Sequence, residues 1–145
     1  MRIDTNDRWR SKMIQPGLPW YRRPLRPADV SDALCGMMLS RGNVLEDVNY
    51  AKIVPNHFIV EVNERDYSSH FQAIQKHVIK QWNDRLLEHI LVSNSRQGRR
   101  EYRLGGPLQI ELKAASGLLP SPARILARID PEITDHTSPL PLPSS

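Results

Sequence analysis

The hydrophobic positions of this chain recur with two different periods. Between Val54 and Tyr67, Phe58, Val60 and Val62 alternate with Ile59, Glu61 and Asn63. A period of two predicts a strand with one buried face. Pro55-Asn56 reads as a turn before it. Asn63 or Asp66 can cap the helix that follows, and the acids of Asn63-Glu-Arg-Asp suit a helix N-terminus. From Asp66 to Leu91 the period changes. Tyr67, Phe71, Ile74, Val78, Trp82, Leu86 and Ile90 recur every three or four residues. That stripe predicts a long helix burying one face, with Gln72, Lys76, Lys80, Asp84 and Glu88 in solvent. Trp82 lies on the stripe and is expected in the core.

The rest of the pattern supplies a helix and further strands. Pro27-Ala-Asp-Val starts a helix, with proline in the first turn and Asp29 near its positive end. Val30, Leu34, Met37 and Met38 form its buried stripe, and Arg41-Gly42-Asn43 its exit. Tyr50 to Val54 reads as a short strand, able to pair with Phe58–Val62 as a hairpin through Pro55-Asn56. Ser93 to Arg100 reads as a polar loop leading to Tyr102-Arg-Leu and a Gly105-Gly106-Pro107 break. Leu108, Ile110 and Leu112 alternate in a strand. So do Ile125, Ala127 and Ile129, and the two strands are expected to pair antiparallel across Pro120-Ser121-Pro122. The resulting order is α-β-β-α-β-β. It predicts an α+β domain with both helices on one face of a small, largely antiparallel sheet.

Composition sets the borders. Eight of the 12 prolines fall at the ends, at 16, 19, 24, 27, 131, 139, 141 and 143. Residues 1–26 therefore read as an irregular basic arm, 27–130 as the domain and 131–145 as a disordered Pro/Ser tail. All 20 Lys and Arg precede Asp130, as do 13 of the 16 acids, so residues 1–129 carry +7. That surface attracts polyanions or acidic partners. No apolar run approaches the ~18 residues of a membrane span. The N-terminus lacks a signal-peptide core, so the expected location is the cytoplasm.

Candidate chemistry is sparse. Cys35, the sole cysteine, borders an apolar helix stripe, where a thiol is inert packing. His57 lies beside the Pro-Asn turn and reads as a turn residue. His70 and His77 are two helical turns apart, not at the i, i+4 spacing of a helical zinc site, and with His89 read as surface residues. No phosphate-cradling Gly-x-x-x-x-Gly-Lys-Ser loop, Gly-x-Ser-x-Gly elbow or Cys-x-x-Cys pair occurs. Glu61 and Glu111 fall on solvent faces of strands. We therefore expect no enzymatic activity, catalytic residue, cofactor or metal. The candidate partner-binding residues are Arg96, Arg99, Arg100, Tyr102 and Arg103. Such a cluster steers an acidic protein partner. Alternatively, with the Arg/Trp arm, it contacts nucleic acid, since guanidinium groups fit phosphates and aromatics stack on bases.

Three stretches carry a resemblance: Pro27-Ala-Asp-Val-Ser-Asp-Ala-Leu, Val54-Pro-Asn-His-Phe-Ile-Val-Glu-Val with Asp66-Tyr67, and Gly106-Pro107-Leu108-Gln-Ile-Glu-Leu. Over about Pro24 to Ile129 the chain resembles the N-terminal domain of FhaA-type bacterial proteins. In those proteins a small α+β domain precedes a flexible linker and a phosphothreonine-binding FHA domain. The resemblance implies a non-enzymatic interaction or scaffold module associated with Ser/Thr kinase and FHA signalling and with cell-envelope regulation. Two departures matter. The amphipathic helix that usually opens the family domain has no counterpart in the period of Trp9 to Arg26. No FHA domain follows within the 145 residues, so phosphothreonine reading is not carried over.

Overall fold

In the computed structural model, which describes residues 9–18, 21–97 and 101–132, the chain opens with β1 (Arg10–Ile14), β2 (Gly17–Leu18) and β3 (Tyr21–Arg22). Helix α1 (Pro27–Met38), β4 (Leu45–Glu46), β5 (Lys52–Val54) and β6 (His57–Asn63) follow. A short α2 (Glu64–Asp66) leads through a π turn and a 3-10 turn into α3 (Gln75–Gln97). The chain then adds β7 (Tyr102–Leu104), β8 (Gln109–Ala115) and β9 (Ala123–Arg128). The fold is α+β, as the sequence pattern predicts.

The alternation of β6 decides the packing. Phe58, Val60 and Val62 are fully buried. Phe58 stands level with Ile110 of β8 and Ala127 of β9, and Val60 with Leu112 and Ile125. Those rows face the helices. Val30, Leu34, Met37 and Met38 come down from α1, and Val78, Trp82, Leu86 and Ile90 from α3, to close one core. Helix α1 packs over β9 and α3 over β8. Asp29 anchors the α1 start: its carboxylate accepts from Arg26 N at 2.9 Å and pairs with Arg23 at 2.6 Å. Asn43 Nδ2 donates to Met37 O at 2.9 Å and satisfies a carbonyl at the other end.

The strand pairing differs from the sequence expectation. The main sheet has the order β1-β9-β6-β8, with β6 parallel to β8 and antiparallel to β9. Strands β8 and β9 therefore do not form a hairpin. Helix α3 carries the chain back along β6, so β8 starts at the same end as β6, and a parallel pair results. The β8–β9 connection must then cross the end of β6, and side chains there hold it. Asn63 Nδ2 donates to Leu118 O at 2.7 Å, and Asp66 Oδ2 accepts from Ser121 N at 2.7 Å.

The Pro55-Asn56 hairpin is also absent. Strand β5 pairs with β4 and β7 in a second sheet, so Pro55-Asn56 is a junction between sheets. Ile74 is 47% exposed although it lies on the expected stripe. The π turn Tyr67–Phe71 and the break at Phe71 (φ −126) shift the phase before α3 begins. Ser93 to Arg96 are helical, where a loop is expected. Asn94 explains the extension: its side chain accepts from Tyr102 N at 2.7 Å and donates to Tyr102 O at 3.1 Å, tying the helix end to β7.

The arm read as irregular contains a strand of the main sheet, β1, paired antiparallel with β9. Its side chains are mostly exposed, so no burial period marks it. Residues 133–145 of the expected disordered tail lie outside the described residues.

Candidate functional site

Two polar clusters flank the core. The first lies on the sheet face away from the helices, and strand alternation places it there. His57 opens β6, level with Arg128 of β9 and, two positions along, near Glu111 of β8. His57 is buried. Its Nδ1 lies 3.3 Å from Arg128 Nε, which can only donate, so Nδ1 accepts. Nε2 therefore carries the proton and donates to Glu111 Oε2 at 2.6 Å. Arg128 reaches Asp130 at 3.1 Å, and its guanidinium lies 4.4 Å from the Trp9 ring centroid. Trp9 meets the His57 ring edge-on at 4.9 Å. Burial pushes the Glu111 carboxyl up, but the His57 hydrogen bond and Lys113 at 3.6 Å outweigh it, and the net shift is down.

His57 is thus a buried latch residue, and not the turn residue the sequence suggests. The signal for it was its phase: it shares the polar face of β6 with Ile59 and Glu61. Its partners point at one another, so the cluster locks the strand ends together. Next to it, Asn56 is fully buried and bonded to Pro107 O and to both backbone groups of Asp130. A Cβ on Gly106 would stand 2.8 Å from Asp130 O, so only glycine fits against this junction. The Pro-Asn and Gly-Gly-Pro stretches are one structural knot.

The second cluster surrounds Tyr102. Tyr102 and Lys52 are level in the β5–β7 pair, and Lys52 Nζ sits 5.1 Å over the Tyr102 ring. The two residues line a hollow of about 590 Å3 together with Leu39, Arg41, Val44 and Glu46. Its lining joins Leu39, Val44 and Tyr102, which pack against the core, with two bases and one acid. Sequence reasoning missed Arg41 and Lys52 because they lie 50 to 61 positions from Tyr102. Only the folding of α1 and β5 against β7 brings them together.

The other sequence candidates are scattered. Arg96 is exposed in the last turn of α3. Arg103 is exposed, alternates to the opposite face of β7 from Tyr102, and pairs with Glu101 at 3.0 Å. Arg99 and Arg100 lie outside the described residues. His70 and His77 are exposed, and His89 is partly buried. Cys35 is half-buried, and burial pushes its thiol up more strongly than Arg85 draws it down. Among the described residues no group of three or more His, Cys, Asp or Glu side chains is placed to hold a metal ion. No helix among them is long and apolar enough to cross a membrane.

Comparison with known proteins places these features. Neither the curated proteins nor the solved structures gave a match to this chain. The family model described as "FhaA, N-terminal domain" matches residues 19–125. That span takes in α1, Asn56 and the Gly105-Gly106-Pro107 turn, α3 and the Tyr102 hollow, together with the stretches that carry the sequence resemblance. The chain therefore belongs to the FhaA N-terminal domain family.

Proposed function

We propose that this domain is a non-enzymatic docking module that takes an acidic segment of a partner protein in the Tyr102 hollow. The observation that carries the reading is that Arg41 and Lys52 line one hollow together with Leu39, Val44 and Tyr102. A segment with both acidic and aliphatic side chains matches a lining of two bases, one acid and three hydrophobic side chains. The same β-hairpin that supplies Glu46 and Lys52 exposes Leu45, Val48 and Tyr50, with Val48 92% accessible. Such exposed apolar side chains on a strand pair that also lines the hollow suit a protein surface better than a phosphate backbone. Arg96 and Arg103, with Arg99 and Arg100, add the long-range attraction that speeds encounter with an acidic partner. A scaffold role beside bacterial Ser/Thr kinase and FHA signalling and cell-envelope regulation is what the sequence resemblance implies, and membership of the FhaA N-terminal domain family favours that reading.

The test compares two labelled probes by fluorescence anisotropy, at low and high salt. One is an acidic peptide containing leucine, the other a single-stranded oligonucleotide. Docking predicts saturable peptide binding that weakens with salt but persists, and weaker oligonucleotide binding. Tighter oligonucleotide binding with a steep salt slope would favour a nucleic-acid-binding domain instead. Binding of neither would remove the hollow as an anion-accepting site.

A further inference from the structure

Helices α1 and α3 each carry a second stripe beside the one that fills the core. On α1, Ala28, Ser31, Asp32 and Cys35 recur at i, i+3, i+4 and i+7, next to Val30, Leu34 and Met37. On α3, Gln81, Arg85, Glu88 and Val92 recur at i, i+4, i+7 and i+11, next to Trp82, Leu86 and Ile90. The Trp82 indole donates to Pro27 O at 2.9 Å and ties the helices together at one end of the gap between these stripes. Two hollows open in that gap. One, of about 500 Å3, has Ser31 and Gln81 in its lining. The other, of about 340 Å3, has Asp32, Cys35 and His89. Arg85 and Glu88 line both, so the two form one groove. It shares no lining residue with the Tyr102 hollow.

Folding leaves a buried hydroxyl unbonded in this groove. Ser31 is 6% exposed, and its side chain has no hydrogen-bond partner among the described residues. A mid-helix serine can return its proton to a carbonyl one turn back, and a buried hydroxyl without any partner costs free energy. Ser31 makes no such bond, and it lines the larger hollow.

The charges around it are mostly negative. Asp32, Asp84 and Glu88 line the groove against one guanidinium, Arg85. Asp84 is shared with Lys80 at 3.0 Å. Asp32, Arg85 and Glu88 have no ion pair among the described residues. On a chain whose residues 1–129 carry +7, the groove is an acidic exception.

We infer that the α1–α3 groove is a second docking surface, and that it takes a lysine or arginine from a basic segment of a partner protein. Such a side chain supplies what the groove lacks: N–H donors for Ser31 Oγ and a positive charge beside Glu88 and Asp32. Its aliphatic stem covers Ala28 and the edge of Trp82, which line the same hollow. The carboxylates repel a phosphate backbone, so nucleic acid does not fit here. This surface selects the charge opposite to the one drawn to Arg41 and Lys52, and it stands independently of the Tyr102 hollow.

The experiment follows the amide spectrum of the full-length chain during titration with an alanine-rich peptide bearing arginines. A counterpart bearing glutamates in the same places is titrated separately. Signals of Ser31, Asp32, Arg85 and Glu88 should shift together and saturate with the arginine peptide alone. Asp32→Lys with Glu88→Lys should weaken that binding at least about tenfold, since both exposed charges turn from attraction to repulsion. Ser31→Ala, which removes only the hydroxyl, should weaken it about fivefold or more. Arg41→Glu with Lys52→Glu should retain it, which separates this groove from the Tyr102 hollow. The absence of saturating shifts at these four residues would overturn the inference. So would unchanged affinity in either groove variant, or the same shifts with the glutamate peptide, which would make Arg85 the governing charge.

Discussion

Asn56 grips the backbone of Asp130 from both sides. Its Oδ1 accepts from Asp130 N at 2.8 Å, and its Nδ2 donates to Asp130 O at 2.9 Å. Nδ2 also donates to Pro107 O at 2.9 Å. One buried amide thus joins the start of β6, the turn before β8 and the end of β9. Asn56→Ala leaves three backbone groups without this partner, at ~1–3 kcal/mol for each that stays dry. We predict a loss of about 3 kcal/mol in urea unfolding. Asn56→Asp should lose at least as much at neutral pH, because it sets a carboxylate against two carbonyls. Near-parental stability for both variants would show that the knot carries little.

Trp82 combines packing with one hydrogen bond. It is 2% exposed, and Nε1 donates to Pro27 O at 2.9 Å, pinning α3 to the start of α1. Trp82→Phe keeps a ring and should cost about 1–2 kcal/mol. Trp82→Ala should cost ~3–5 kcal/mol. Matched thermal and chemical unfolding of the two separates the terms, and equal losses would contradict burial of the ring.

Asp29 gives the domain a specific acid response. The Arg23 guanidinium, more than burial opposes it, holds the Asp29 carboxyl below its ordinary value, and Arg26 N assists. A carboxyl lowered by folding stabilises the folded state above its unfolded pKa. That contribution fades as pH falls below about 4 and is gone once the folded group is protonated. Asp29→Asn should therefore be less stable than the parent at pH 6 and should lose less stability between pH 5 and 2. Parallel pH profiles of unfolding would contradict this.

Much of the fold was legible because burial writes a period into the sequence. Phe58, Val60 and Val62 marked β6, and Val78, Trp82, Leu86 and Ile90 marked α3. Period shows which face is buried but not which strand lies alongside, so the parallel β6–β8 pair and the β5 junction stayed hidden. Strand β1 left no trace because four of its five side chains are exposed and only Ile14 packs against the core. The site was half legible. Tyr102 stood out among arginines, but Arg41 and Lys52 became its neighbours only through tertiary packing. His57 was misplaced because a turn motif and a buried strand end share the same Pro-Asn.

Cys35 should behave as a slow thiol. Burial raises it above the ordinary thiol range, so the reactive thiolate is scarce at neutral pH. We expect native-state alkylation at pH 7.5 to be at least about tenfold slower than in urea, and to rise steadily with pH. Equal rates in the two states would show an open thiol.

The docking claim is tested most directly by following the amide spectrum of the full-length chain during titration with an acidic leucine-containing peptide. The account predicts that signals of Arg41, Val44, Lys52 and Tyr102 shift together and saturate. It also predicts that Arg41→Glu with Lys52→Glu abolishes those shifts while the rest of the spectrum is kept. Unsaturated shifts spread over Arg96, Arg103 and Arg124, or the same saturating response in the double variant, would contradict it.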